Sequence, residues 1–584
     1  MDPDTAVVRW LREGAPAGLL QPIEDCGIFP TYSEEEDPQS MNAEDLCTES
    51  AFTNYAGVED NEDVALEMQR LTDAGFVTQF QAYEDLVKHL GAEAVLSRIG
   101  VIERIRNGVV RYRIVIDSKR SSVSAATRRF ERTLLPRVLD VVYDGLDLLA
   151  AHRAANPGVP AELEFLIADF KDAFFIIPNA PNERRFFVVK FRGTYYLFLR
   201  TTQGSRGAPL TWCRVAAFLT RMTQAVIGTE TARISTYVDD PIVVTVAPKE
   251  ARDLTFGVTL SLWSAFGLPL SLAKAVRGES VTWTSANLEP IRTDGLITGI
   301  RVEIKPSIVQ DVQAATDKFA SSNLISYKDL RSYVGKLTHM ASLVYVMRPF
   351  LLEFYAALKA TVQSNAPAHS IWTKQISSAL RWISALLSGS QGSFSRSYDL
   401  DTHLGRGTAV EVCLDASPWG LGGTLSINGV FTDWFASPLS AEECQLLHIE
   451  VGSSACQQTV ESLAALVALR AWHTQWCQSR AVLKVRSDSV AALTITLKLK
   501  TTGHGTGIVA REMALDVAYA CYAPHIAEHV PGVSNVTCDM LSRKFQPGAT
   551  YVVPLELAGA KETLLLPRTR AYYKTVGSPT FDRK

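Results

Sequence analysis

The stretch STYVDDPIVV, residues 235–244, places two adjacent carboxylates, Asp239 and Asp240, inside a run of β-branched and aromatic residues. Aspartate and proline are turn formers, so the run predicts two strands joined by a tight turn. Taken alone, the stretch fits equally well a plain hairpin and a site that needs two neighbouring acids. The rest of the sequence has to distinguish the two.

The bulk composition is that of an ordinary globular protein. The chain has 584 residues, 47% hydrophobic and 21% charged, which is too long for one core. It contains no apolar run of about 18 residues and no signal-peptide pattern, and its nine cysteines form no CxxC pair. We therefore expect a multidomain intracellular protein, cytoplasmic or nuclear, with reduced thiols and no membrane association.

Charge is distributed unevenly along the chain. Residues 1–67 contain 17 Asp or Glu against Arg9 and Arg12, a net charge of −15, so the remainder of a chain of net charge −4 carries +11. A basic body suits contact with nucleic-acid phosphates, and the alternative is a solvated basic surface without such a partner. In the acidic leader, residues 31–50 lack apolar periodicity and predict a mobile loop.

The secondary-structure pattern changes twice along the chain. GVVRYRIVID (108–117) predicts a strand, RRFFVVKFRGTYYLFLR (184–200) a hairpin, and residues 210–227 a helix. That order suits an antiparallel sheet backed by helices. Residues 327–387 predict mostly helices, and from about residue 408 alternating strands and helices indicate a separate α/β domain.

A third acid stands at the end of another apolar strand. In IADFKDAFF, Asp169 follows a run that would bury its carboxylate at a cost unless it is paired or bound to a metal. If this strand neighbours the hairpin, Asp169, Asp239 and Asp240 converge. Such a cluster suits two Mg²⁺ ions that hold the attacking and leaving oxygens of a phosphoryl transfer. The alternative to a metal site is that Asp169 caps a helical turn and that Asp239 and Asp240 form an ordinary turn.

Three motifs, in this order, resemble those of reverse transcriptases of the retroviral and retrotransposon type. DFKDAFF is similar to the first palm motif of that family, TTQGSRGAP to the second and YVDD to the third, with Ala208 in place of the more usual Ser. The resemblance implies that Asp169 and Asp239 bridge the metals and that Asp240 supports them. Pro241 departs from the family pattern, and its missing N–H should leave the return strand one ladder bond short or place it at an edge.

The resemblance also assigns residues to the incoming deoxynucleotide. Phe174 would exclude a ribose 2′-hydroxyl, although an ordinary core Phe is the alternative. Arg106 and Lys274 would contact the phosphates and the leaving group, and a surface location is the alternative for both. The full set implied for this substrate is Arg106, Arg113, Phe174, Gln203, Gly204 and Lys274.

A second set of acids occurs in the C-terminal α/β pattern. Asp415 and Asp488 end strands, Glu461 opens an apolar helix, and Asp539 lies in NVTCDMLSR. Singly each could be a cap or an exposed acid, but together they suggest a second two-metal site, for hydrolysis. The set resembles that of a ribonuclease H domain. The resemblance makes His529 the histidine that assists product release, with a surface strand-end residue as the alternative.

The resemblance implies a multidomain α/β fold, in which an α+β right-hand polymerase with palm, fingers and thumb precedes an α/β ribonuclease H-like domain. The implied layout is an acidic, partly disordered extension (1–65), fingers (66–165), palm (166–295), helical thumb and connection (296–407), ribonuclease H-like domain (408–548) and a tail (549–584).

The implied function is an RNA- and DNA-directed DNA polymerase that also degrades the RNA strand of a hybrid. Its cofactor would be Mg²⁺ or Mn²⁺, two ions per active site, and its partners an RNA template, a DNA primer, the RNA–DNA hybrid and dNTPs. The HVPG…LSR ending, residues 529–543, favours a retrotransposon of the DIRS type. The alternatives are an inactive, domesticated element that only binds nucleic acid, and a DNA-dependent polymerase, which the ribonuclease H pattern disfavours.

Overall fold

The computed structural model describes residues 2–32, 41–49, 52–106, 109–359, 366–388, 394–476, 481–501, 503–518 and 526–574, without the side chains of 104–106, 109–111, 518, 526 and 527. The chain divides into two compact units, Met1–Thr284 and Ser285–Lys584. Both mix helices with strands. No helix within the described ranges has the length and hydropathy needed to cross a bilayer.

Unit 1 combines small antiparallel sheets with packed helices. Its helices are α1 (Ala6–Glu13), α2 (Glu62–Asp73), α3 (Tyr83–Leu90), α4 (Val123–Ala126), α5 (Val138–Ala155), α6 (Ala208–Ile227) and α7 (Lys249–Ala265). Its strands are β1 (Val77–Phe80), β2 (Arg98–Arg106), β3 (Val109–Asp117), β4 (Leu163–Ile167), β5 (Val188–Phe191), β6 (Thr194–Phe198), β7 (Ala232–Tyr237), β8 (Asp240–Val246), β9 (Val276–Gly278) and β10 (Val281–Trp283).

The sheet that carries the first acids has the strand order β7-β8-β4-β9, and its pairs are antiparallel. β4 and β8 are almost wholly buried, as their apolar runs predict. Trp212 of α6 and Trp263 of α7 pack around Phe170 in one core, with the Phe170 ring edge-on to both indoles. The expected antiparallel sheet backed by helices is confirmed.

Two further strand groups lie in unit 1. β1, β6 and β5 form an antiparallel sheet in that order, and β2 pairs with β3 over its whole length, with Arg98 opposite Asp117. The expected hairpin over 184–200 is present as β5 and β6, which turn at Arg192 and Gly193. The prediction of a strand at 108–117 is confirmed by β3.

The described part of residues 1–65 contributes to the core of unit 1. Val7 and Trp10 of α1 are buried in the same cluster as Trp212. Asp4 is 1% exposed and accepts hydrogen bonds from the guanidinium of Arg214 at 2.7 and 2.6 Å. Residues 33–40, on which the expectation of disorder partly falls, lie outside the described residues.

Unit 2 begins with helices and antiparallel strands and ends with a mixed sheet. Its helices are α8 (Pro306–Ala320), α9 (Tyr327–Leu343), α10 (Arg348–Lys359), α11 (Ser377–Leu387), α12 (Leu400–His403), α13 (Ala441–Leu447), α14 (Gln457–Ala471), α15 (Val490–Lys498), α16 (His504–Ala518) and α17 (Val536–Ser542). Its strands are β11 (Ala286–Thr293), β12 (Leu296–Ile304), β13 (Leu324–Ser326), β14 (Ser370–Trp372), β15 (Ser395–Asp399), β16 (Thr408–Ser417), β17 (Gly420–Ile427), β18 (Val430–Pro438), β19 (Ala481–Ser487), β20 (Ile526–His529) and β21 (Lys561–Glu562).

The larger sheet of unit 2 has the order β20-β19-β16-β17-β18-β21. β16, β17 and β18 are antiparallel, whereas β19 joins β16, and β20 joins β19, in parallel. The parallel neighbours bring the ends of β16 and β19 to the same edge, where Leu414 pairs with Ser487. Asp415 and Asp488 each follow one of these paired residues, so the topology places them side by side.

The segment expected to be a tail, 549–584, is described as far as residue 574 and packs on this sheet. β21 pairs with β18, and the Trp472 indole donates a hydrogen bond to the Thr563 hydroxyl (2.9 Å). Arg568 is 6% exposed and donates to both carboxylate oxygens of Glu443 (2.6 and 3.1 Å), while the Tyr573 hydroxyl donates to the same group (2.9 Å). These contacts make the described part of the segment a structural component of the domain.

Candidate active sites

The first site is organised around the turn between β7 and β8. Tyr237 pairs with Asp240, so Val238 and Asp239 are the two central residues of a tight hairpin. Val238 has φ +54°, a left-handed conformation that costs a β-branched residue about 1–3 kcal/mol. The Trp212 indole donates to the Val238 carbonyl (2.7 Å) and the Phe170 N–H to the Asp239 carbonyl (2.9 Å). These bonds hold the strained turn against the end of β4.

Pro241 affects this hairpin in one of the two expected ways. Its carbonyl accepts a hydrogen bond from the Ala168 N–H (3.1 Å), but it has no N–H to donate in return. Regular pairing between β4 and β8 ends one step earlier, at Ile167 and Ile242. The ladder is therefore one bond short, while β8 itself lies between two strands and is not an edge.

Asp169 and Asp239 are close enough to influence each other electrostatically. Burial raises the pKa of Asp239 above its usual range, and the charge of Asp169 raises it further, while Arg113 and Lys274 oppose the rise. Lys274 donates to both carboxylate oxygens of Asp169 at 2.7 and 2.8 Å. In this arrangement the lysine supplies the positive charge beside Asp169.

Of the other residues expected at the first site, Arg113 is near enough to oppose the raised pKa of Asp239. Gly204 has φ +102°, and a Cβ there would lie 2.0 Å from the Ile116 carbonyl oxygen, so only glycine lets this loop press against β3. The contact brings Gln203 and Arg113 into the lining of one small cavity. Phe174 is partly buried against the core cluster. Arg106 ends β2, and its side chain lies outside the described part of the chain.

The second site gathers three carboxylates. Ligand atoms of Asp415, Glu461 and Asp488 all lie within 4.8 Å of one another, and in the described ranges no other group of three His, Cys, Asp or Glu side chains is gathered as closely. Asp169, Asp239 and Asp240 are therefore more loosely arranged than this set. Among the described residues, Glu461 Oε2 and Asp488 Oδ1 are buried without a hydrogen-bond partner. Buried, unpaired carboxylate oxygens next to other acids are what a hard cation would satisfy.

Burial dominates the electrostatics of this cluster. It raises the pKa of Asp415 to about 7, helped by the charges of Asp488 and Asp539 and opposed by a hydrogen bond from Ser542. It raises the pKa of Glu461 to about 8, with Asp415 adding to the rise. The donor set is all oxygen and mutually repulsive, so it fits Mg²⁺, or Mn²⁺, and no softer metal is indicated.

Asp539 and His529 lie beside the three acids. Asp539 accepts a hydrogen bond from Arg543 Nε (2.6 Å) and acts on Asp415 through its charge. His529 is exposed, and its Nε2 donates to the Asp488 carbonyl (3.1 Å). α17, which carries Asp539, packs closely on β17 because Gly422 has no side chain: a Cβ there would lie 2.5 Å from the Cys538 carbonyl oxygen.

Two positioning residues were not predicted from the sequence. Ser542 Oγ donates to Asp415 Oδ2 (2.6 Å), and Gln457 Nε2 donates to Glu461 Oε1 (2.7 Å) and to the Ala416 carbonyl (2.6 Å). Gln457 stands four residues before Glu461 on α14, a spacing that places the two side chains on one helix face. That spacing is the feature of the sequence from which the contact between Gln457 and Glu461 could have been predicted. Nothing local to Ser542 indicates its contact with Asp415.

No protein-family model and no curated protein sequence matches the chain. Among solved structures, it is similar to a foamy viral protease-reverse transcriptase in complex with double-stranded DNA, at 14% identity and a TM-score of 0.45, covering 85% of this chain and 73% of that one. It is also similar to a foamy viral protease-reverse transcriptase in complex with an RNA/DNA hybrid, at 13% identity and a TM-score of 0.42, covering 87% of this chain and 58% of that one.

Proposed function

We propose that the chain is an RNA- and DNA-directed DNA polymerase of a retroelement, with a separate ribonuclease site for RNA–DNA hybrids. Polymerisation belongs to Asp169, Asp239 and Asp240 in unit 1. Hybrid cleavage belongs to Asp415, Glu461, Asp488 and Asp539 in unit 2, with His529 assisting release of the product. The proposed partners are an RNA or DNA template, a DNA primer, the hybrid and dNTPs.

One observation carries the proposal: the carboxylates of Asp415, Glu461 and Asp488 lie together in unit 2 with buried, unpaired oxygens, and in unit 1 the charge of Asp169 acts on the half-buried Asp239. Like charges held together in a protein interior are unfavourable unless a cation joins them. When bound, Mg²⁺ would supply charge neutralisation and Lewis acidity for phosphoryl chemistry. The chain itself would contribute the hard oxygen ligands and their fixed orientation.

The polymerase assignment also draws on the groups around the first cluster. Arg113 lies near enough to act on Asp239 and lines a cavity with Gln203, as expected for residues that contact the phosphates and base of a nucleotide. Lys274 contacts Asp169, and we assign it to the departing pyrophosphate. We assign Phe174 as the residue that disfavours a ribose 2′-hydroxyl, and Arg106 and Gly204 to the same substrate.

The test is primer extension on a poly-rA template, run alongside cleavage of an RNA–DNA hybrid, with Mg²⁺. Asp239→Asn should abolish incorporation of dNTPs and leave hybrid cleavage intact, and Asp488→Asn should do the reverse. Glu556→Gln, an exposed acid in unit 2, is the control and should change neither. If each variant folds but loses both activities, the proposal that the two activities reside in independent sites is refuted. If wild type binds the hybrid but neither extends a primer nor cleaves RNA, the protein is a nucleic-acid binding module and not an enzyme.

A further inference from the structure

A small cavity of about 80 Å³ lies beside the first site in unit 1. Two of its lining residues, Arg113 and Gln203, already belong to the proposed nucleotide site. Others have no role so far: Arg70 of α2, Asp172 of the DFKDAFF motif, and Thr202. Thr202 is 1% exposed, and its hydroxyl has no hydrogen-bond partner among the described residues. The cavity thus shares two residues with the proposed nucleotide site and has a polar wall.

The guanidinium of Arg70 links α2 to the first motif: it binds Asp172 on one side and Glu67 on the other, an arrangement we call the fork. Its Nη1 and Nη2 donate to the two carboxylate oxygens of Asp172 at 2.9 and 3.2 Å. On its other side, Nε and Nη2 donate to the carboxylate of Glu67, both at 2.8 Å. The hydrogen bond to Glu67, followed by the one to Asp172, holds the pKa of Arg70 above its usual range. A planar guanidinium is the side chain that can satisfy two carboxylates in this way.

The fork acts on a residue with an unusual backbone. Asp172 has φ +54° and ψ +35°, a left-handed conformation, and directly precedes the 3₁₀ turn Ala173–Ile176 that carries Phe174. Such a conformation persists in a non-glycine residue only where surrounding contacts hold it. Phe76, three residues beyond the end of α2, stacks on Phe175 of the same turn, with ring centroids 5.0 Å apart and planes 6° apart. The region of α2 therefore contacts the turn at two points.

We propose that Arg70 is a positioning residue for nucleotide selection: it fixes Asp172, and through Asp172 the turn that presents Phe174 to the sugar. The proposal rests on the polymerase function proposed above. Arg70 need not touch the substrate, since its effect passes through the orientation of the turn. Because both carboxylates of the fork are partly exposed, its contribution lies in geometry more than in ion-pair energy.

The test compares Arg70→Gln with Glu67→Gln, which removes the other arm of the fork but leaves the bond to Asp172. Single-nucleotide incorporation on poly-rA primed with oligo-dT, using dTTP and UTP, should show an about tenfold higher KM for dTTP in Arg70→Gln. Its preference for dTTP over UTP should fall about tenfold while hybrid cleavage stays unchanged. Arg70→Lys should recover only part of the preference, because an ammonium cannot form the fork. Glu67→Gln and the surface control Lys249→Gln should resemble wild type.

A second measurement does not depend on activity. Hydrogen exchange of the peptide spanning 172–177 should be faster in Arg70→Gln than in wild type and unchanged in Glu67→Gln. Unchanged exchange, or an unchanged nucleotide preference in an active and folded Arg70→Gln, would overturn the positioning role. If wild type fails to extend a primer, the proposed polymerase function fails, and the exchange experiment alone decides whether Arg70 holds the turn.

Discussion

Replacing Glu461 by Gln should stabilise the metal-free protein and remove the response of the second site to Mg²⁺. The pKa of Glu461 is raised from 4.5 to about 8, mainly by burial. Because the folded-state pKa is raised, the carboxyl favours folding when protonated, and that contribution is lost as pH rises from about 4.5 through about 8. Above that range the ionised group opposes folding by up to about 5 kcal/mol. A glutamine of the same shape carries no such penalty.

Mg²⁺ bound at the second site should offset the cost of the ionised Glu461 in wild type, and Glu461→Gln should lack this stabilisation. A ligand that binds the folded state at 100 times its dissociation constant adds about 2.7 kcal/mol of stability. Asp415, whose pKa is raised to about 7, and Glu461 must both release protons before they bind a cation. The stabilisation by Mg²⁺ should therefore increase with pH across the same interval.

Calorimetric unfolding in EDTA and in Mg²⁺, at about pH 5 and about pH 9, checks these expectations. In EDTA at the higher pH, Glu461→Gln should melt at a higher temperature than wild type. In Mg²⁺ the wild-type transition should shift upward by more than that of the variant, which keeps only the first site. Glu556→Gln serves as the control. Equal pH dependence and equal Mg²⁺ shifts in wild type and Glu461→Gln would refute the account of the cluster as a set of acids held for a cation.

Three further changes have expected outcomes. Burial raises the pKa of Asp144 to about 6, so the contribution of its protonated form to stability is lost as pH rises from about 4 through about 6. We therefore expect Asp144→Asn to raise the free energy of unfolding at neutral pH by about 1–2 kcal/mol, measured by urea unfolding. Trp212→Phe removes the donor to the Val238 carbonyl and should cost about 1–3 kcal/mol while lowering the rate of primer extension but not of hybrid cleavage. Arg568→Met leaves the buried Glu443 without its cation and should cost about 3–5 kcal/mol, which Glu443→Gln in the same chain should partly restore.

The features that could be predicted from the sequence are those set by neighbours in the chain. A hairpin here follows from two β-branched runs on either side of the aspartates, although the structure centres the turn on Val238 and Asp239 and places Asp240 in β8. Asp415 and Asp488 could be placed together because each lies at the end of an apolar strand of one α/β domain, and Glu461 because it lies in an apolar helix. For the two aspartates the local pattern fixes both the element and its end, whereas the helix of Glu461 begins four residues earlier than expected, at Gln457.

Contacts between distant parts of the chain could not be predicted in this way. Lys274 is 105 positions from Asp169, Arg70 is 102 from Asp172, and Arg214 is 210 from Asp4. Each cation stands in a segment whose own pattern is equally consistent with a solvated surface. Only the packing of α2, α6 and the loop before β9 decides which carboxylate each one meets.

The pairing of Arg568 with Glu443 has a consequence for the order in which the protein matures on the ribosome. Glu443 gains its cation only when Arg568, 125 residues further along, has been synthesised and has left the exit tunnel. Until then α13 carries an acid without that cation, so unit 2 should stay protease-sensitive late into translation. Arg214, the partner of Asp4, precedes the end of unit 1 at Thr284, so this pair adds no delay beyond the synthesis of unit 1 itself. Protease digestion of ribosome-stalled chains in which residue 568 lies inside the exit tunnel or beyond it would measure the difference.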